Sequence, residues 1–181
     1  MTTDIAYDEQ VQACKSLFLQ KTKDYGTAWR VLRTISVIDQ IYIKAQRIKN
    51  IQDGVLQLVA DDVASEWIGI LNYAVIGLIQ LDNTSQNYAN LEVHTVEALY
   101  NEKIALAKAT MLLKNNDYGE AWRSMSQHSF VDLILMKLLR VKQILENDGT
   151  TLVSEGIDAN YIDIINYAAF AKILAKDVAK K

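Results

Sequence analysis

The residues best suited to chemistry are two Lys-x-x-Arg pairs, Lys44 with Arg47 and Lys137 with Arg140, because each is set in an apolar stretch. Around the second pair the chain reads Phe-Val-Asp-Leu-Ile-Leu-Met-Lys-Leu-Leu from Phe130 to Leu139. A cation leaving a packed face needs a carboxylate, a phosphate or a path to water. Further on, at about 100° per residue, Glu155, Ala159, Asp163 and Asn166 share one helical stripe that continues as Phe170 and Ile173. The corresponding earlier positions are Asp61, Ser65, Gly69 and Asn72, continuing as Ile76 and Ile79. Two carboxylates with a small residue between them leave room for a hard divalent cation such as Mg2+ or Mn2+. Lysine and arginine beside it would hold phosphate oxygens, and the metal would bridge phosphates or generate hydroxide. This reading makes Glu155 and Asp163 metal ligands and Lys137 and Arg140 phosphate contacts. The same charges also read as structural ion pairs across a helix interface, with Asp61, Asp62 and Glu155 stabilising helix starts.

Two seven-residue stretches, Asp24-Tyr25-Gly26-Thr27-Ala28-Trp29-Arg30 and Asp117-Tyr118-Gly119-Glu120-Ala121-Trp122-Arg123, differ at a single position. The glycine suits a helix stop and the tryptophan a core position. Alternatively, Tyr118 and Trp122 lie beside a base or sugar, as would Tyr25 and Trp29. Lys21 and Lys114 are within reach of a phosphate or are solvated surface lysines. Asn72 and Asn166 are ligands or satisfied core amides. In the first copy Lys44, Arg47 and Asn72 would form a degenerate or structural version of the site.

The elements that must position these residues are helices. The chain of 181 residues has no proline and seven glycines, so long helices are interrupted only where glycine and asparagine cluster. Periodicity predicts helices over about 8–23, 36–52, 61–81, 91–114, 129–146 and from 154 onwards, with short turns at Ala28 and Ala121. Tyr7 and Tyr100, Lys15 and Lys108, Ser36 and Ser129, and Asp39 and Asp132 match at an offset of 93 (117 minus 24). The offset becomes 94 for the last helices, where Asn72-Tyr73-Ala74 aligns with Asn166-Tyr167-Ala168. One helical unit is therefore written twice, over residues 1–82 and 91–181 with a linker at 83–90. The expected fold is an all-α bundle in which two repeats pack as one compact domain about a pseudo-twofold axis.

Composition narrows the partners. A net charge of −3 and no long basic run argue against binding duplex nucleic acid, but leave free nucleotides open. One cysteine, Cys14, excludes an internal disulfide framework, and His94 and His128 have no zinc spacing. The amino terminus lacks a secretion signal, and the uncharged run from Trp67 to Leu81 falls short of the roughly 20 residues that span a bilayer. A cytoplasmic protein away from membranes is the expectation, as a monomeric pseudo-dimer or a homodimer.

Lys21-x-x-Asp24-Tyr25-Gly26, Lys44-x-x-Arg47-Ile48 and the Asn72-Tyr73 helix, with their second copies, resemble the nucleotide modification associated domain 1 family. Glu155-Gly156-Ile157 ahead of Asp163-Ile164-Ile165-Asn166-Tyr167 belongs to the same pattern. The resemblance covers nearly the whole chain as two tandem copies and implies an all-helical protein of nucleotide metabolism or base modification. Where single-copy relatives carry further acids, the second copy has Ala159 and the first has Ser65 and Gly69. The pattern is also similar to all-helical nucleotide pyrophosphohydrolases, although their Glu-Glu-x-x-Glu helix is absent here. Together these readings predict a nucleoside-phosphate binding protein, with Mg-dependent (pyro)phosphohydrolysis or an accessory role in nucleotide modification as the functions implied. The alternative is a non-catalytic helical scaffold or regulator with internal ion pairs.

Overall fold

In a computed structural model, which describes residues 2–58, 62–85 and 87–179, the chain is all-helical. The order is α1 (Thr3–Tyr25), a 3-10 turn (Ala28–Val31), α2 (Thr34–Gln52), α3 (Val63–Leu81), α4 (Val93–Tyr118), a second 3-10 turn (Ala121–Ser124), α5 (Gln127–Glu146) and α6 (Ile157–Ala179). α1, α2 and α5 start earlier than the spans read from periodicity and α4 runs further, whereas α3 starts at Val63 and α6 at Ile157, which leaves Glu155 outside it. Asp62 caps α3 by accepting from the Ser65 amide at 2.7 Å, whereas Asp61 lies outside the described residues. Gly26 follows α1 with φ +69°, and the Asn90 side chain lies where a Cβ would be. Thr27 does not cap the following turn; its amide and hydroxyl both donate to Asn90 Oδ1, at 2.7 and 2.9 Å.

Each helix packs against its own counterpart: α3 on α6, α2 on α5 and α1 on α4. The cross pairs α1 with α6 and α3 with α4 also match one another. Polar contacts repeat in the same way. Lys15 bonds Glu97 and Asn101, while Lys108 pairs with Asp4 and Asp8. Lys49 pairs with Asp132, and Lys142 with Asp39. Exchanging the halves maps each set onto the other, as a pseudo-twofold axis requires.

One continuous core runs through both repeats and is centred on α3 and α6. α3 is long and apolar enough by composition to cross a membrane, but 61% of that stretch is buried inside the bundle. Its apolar character is accounted for by its central place. Gly77 lets α6 approach, since a Cβ there would lie 2.4 Å from the Tyr161 ring.

Candidate functional site

Two buried asparagines link the repeats. Asn72 donates to the Cys14 carbonyl at 3.1 Å and accepts from the Tyr100 hydroxyl at 2.8 Å. Asn166 donates to the Ala107 carbonyl at 3.1 Å and accepts from Tyr7 at 2.8 Å. Each amide thus joins α1 or α4 of its own repeat to a tyrosine of the other. With donor and acceptor engaged, both are satisfied core amides, and Asn72 also lines a cleft of the first repeat. Burial pushes both tyrosine hydroxyls well above their ordinary range.

In the second repeat, Asp163 projects from α6 between two lysines. Its Oδ1 lies 2.6 Å from Lys114 Nζ and its Oδ2 2.6 Å from Lys137 Nζ. Asp163 and Lys137 are both buried. Burial opposes the charge of Lys114, but the hydrogen bond to Asp163, the Asp163 charge and the nearby Tyr167 and Glu155 together outweigh it and raise the lysine's pKa. Burial, followed by the Asp163 charge, raises Tyr167.

Arg140 and Glu155 are exposed and line a surface depression with Asn160. Residues 147–156 form no helix after Gly149, so Glu155 lies outside α6. Both still lie near enough to act on the Tyr167 hydroxyl, Arg140 favouring and Glu155 opposing its ionisation. Both oxygens of Asp163 are taken by ammonium groups, and the described residues include no cluster of three His, Cys, Asp or Glu suited to a metal. The donor set therefore does not fit Mg2+ or Mn2+ at Glu155 and Asp163. Tyr118 ends α4 and is largely exposed. Trp122 is buried against Phe170, with ring centroids 4.2 Å apart and planes within 4°. The Arg123 guanidinium lies 4.5 Å from the same ring.

In the first repeat the carboxylate is moved by one turn. Gly69 stands at the position of Asp163, and Glu66, at that of Asn160, meets Arg47 at 2.5 Å and Lys44 at 3.4 Å. The Lys44 stem runs over Gly69, where a Cβ would lie 2.6 Å from its Cδ. The result is a cleft of about 530 Å³ whose lining includes Lys21, Lys44, Gly69, Trp29, Tyr73 and Ile76. Tyr25 and Phe18 add further aromatic surface, and Trp29 is only half-buried. The enclosed space thus belongs to the repeat that the residue pattern marks as degenerate. Sequence reasoning read Gly69 as a missing acid, although a glycine beside lysines and aromatics is also what leaves a space open. Lys21 reads in the sequence as a phosphate contact or a solvated surface lysine; that it shares a cleft with Lys44 does not.

Comparison with known proteins adds the family. No curated protein and no solved structure matches the chain. The family model described as nucleotide modification associated domain 1 matches residues 21–81 and again residues 114–174, together well over half of the chain. The first match begins at Lys21 and the second at Lys114, so both carry the lysine, the glycine stop and the paired asparagine. With the two halves exchanging their contacts in the fold, the chain belongs to the nucleotide modification associated domain 1 family and carries two copies of that domain in tandem.

Proposed function

We propose that this protein binds a nucleoside phosphate in the first-repeat cleft. The observation that carries this reading is the combination, in one cleft of about 530 Å³, of two lysines with the aromatic rings of Trp29, Tyr25 and Tyr73. That volume falls in the usual range for small-molecule sites. Lysine supplies point charge for phosphate oxygens, and aromatic faces stack on bases. Glu66 holds Lys44 and Arg47 in place instead of offering a free carboxylate. Binding is accordingly assigned to side-chain cations and does not require magnesium. The family's link to nucleotide modification supports a nucleotide as the ligand. It leaves the reaction, if there is one, to other groups, and the role proposed here is binding.

The test is thermal denaturation and calorimetry against nucleoside mono-, di- and triphosphates, each with magnesium and with a chelator. The expected result is a rise in melting temperature that survives the chelator and is lost in Lys44→Met. No shift with any nucleotide at millimolar concentration would contradict the proposal and favour a scaffold held by internal ion pairs. A shift seen only with magnesium would contradict the assignment to lysines.

A further inference from the structure

The second repeat contacts itself at the positions where the first repeat is open. Lys114, Lys137, Asp163, Trp122 and Phe170 form two linked contacts: a carboxylate between two ammonium groups and a phenyl ring stacked on an indole. Their counterparts are Lys21, Lys44, Gly69, Trp29 and Ile76, and all five line the cleft. Both cations and the indole are kept, while glycine stands at the anion's position, with Glu66 one turn earlier on Lys44, and isoleucine stands at the ring's. The Lys44 ammonium lies 3.2 Å from where a Cβ on Gly69 would be, so the cation is already at that position.

We infer that Asp163 and Phe170 are built-in stand-ins for a ligand, and that their placement gives the pose of that ligand in the first repeat. The anion lies over Gly69 between Lys21 and Lys44, and a flat ring lies on Trp29 beside Ile76. This inference rests on the cleft being a nucleotide site and narrows it to a nucleoside monophosphate, bound once per chain. The filled site sets that class: it has one anionic centre and one ring, seven residues and so roughly 10 Å apart along the helix, a span that one phosphate, a sugar and a base can cover.

The experiment is calorimetric titration with thymidine and adenosine monophosphates and the matching triphosphates. It uses the wild-type chain, Gly69→Asp, and Asp163→Gly combined with Phe170→Ile. Wild type should bind one monophosphate per chain. Gly69→Asp should weaken binding at least tenfold without lowering the melting temperature, because the new carboxylate meets the lysines as Asp163 does. The double variant should bind two per chain. Since it leaves Lys137 buried without its counter-ion, it is also melted in inorganic phosphate, which should raise its melting temperature more than that of wild type. Undiminished binding by Gly69→Asp would overturn the inference. So would a double variant that folds, stays at one equivalent and gains nothing from phosphate. Wild type that binds triphosphates but not monophosphates would overturn this inference and keep the nucleotide reading; wild type that binds neither would overturn both.

Discussion

At the scale of single residues, the two Asn–Tyr contacts make the sharpest claim, because they are the same interaction made twice. Each tyrosine hydroxyl donates to an asparagine of the opposite repeat at 2.8 Å in a buried setting. Removing one such bond costs about 1–2 kcal/mol. Tyr7→Phe and Tyr100→Phe should therefore each lower the unfolding free energy in urea by that amount, and by nearly equal amounts. A loss from one and none from the other would show that the halves are not equivalent. Cys14 is fully buried, and burial pushes its thiol up to about 11. It should resist alkylation at neutral pH in the native chain and react once unfolded, which mass spectrometry after a timed iodoacetamide pulse would check. These roles were only partly legible. The repeated Asn-Tyr-Ala marks 72 and 166 as special, but a sequence cannot show that Tyr7 and Tyr100 reach across to them, since that depends on how the repeats dock. Asp163 was legible as a partner for Lys137; that Lys114 closes the other side was not.

At the scale of elements, the helices follow from the sequence because no proline interrupts them and each stop has a physical signal. Gly26, Gly54, Gly119 and Gly149 all adopt positive φ at or just after helix ends. The largest departure is the start of α6. Glu155 reads as a first-turn acid, yet α6 begins only at Ile157, so Glu155 does not extend the buried stripe that Asp163, Asn166, Phe170 and Ile173 form. Periodicity alone does not locate a helix start to within a turn, and here that margin leaves Glu155 outside the helix. Packing between elements is tightest at Gly77, where a Cβ would lie 2.4 Å from the Tyr161 ring. Gly77→Ala should destabilise the chain by about 1–3 kcal/mol through overpacking of α3 on α6, despite alanine's better helix propensity. A gain in stability, measured by chemical denaturation, would show that α6 does not pack closely there.

At the scale of the whole molecule, the chain is two copies of one unit joined into a pseudo-dimer, with one shared core and two differently filled sites. The duplication itself was fully legible, because matches at an offset of 93 or 94 span both halves. Which half stays open was not, because it turns on a glycine that reads as an absence. The shared core predicts that the halves remain associated when the linker is cut. A chain nicked at a protease site placed within 83–87 should elute from size exclusion at the volume of the intact protein; two smaller species would show that covalent linkage, rather than packing, unites them.

Buried tyrosines also set a pH dependence. Tyr7, Tyr100 and Tyr161 all have pKa values raised by burial, so above the ordinary tyrosine range the unfolded chain releases protons that the folded chain retains. Stability should be full below about pH 10 and fall as pH rises beyond it, as thermal melts across that range would show.

The cleft of the first repeat should take the ligand while the matching positions of the second are filled by its own side chains. Selective 13C labelling at lysine Cε reads this directly during titration with a nucleoside monophosphate. The Lys21 and Lys44 signals should move together and saturate, while those of Lys114 and Lys137 stay in place. Movement of Lys114 and Lys137 with Lys21 and Lys44 unchanged would contradict it.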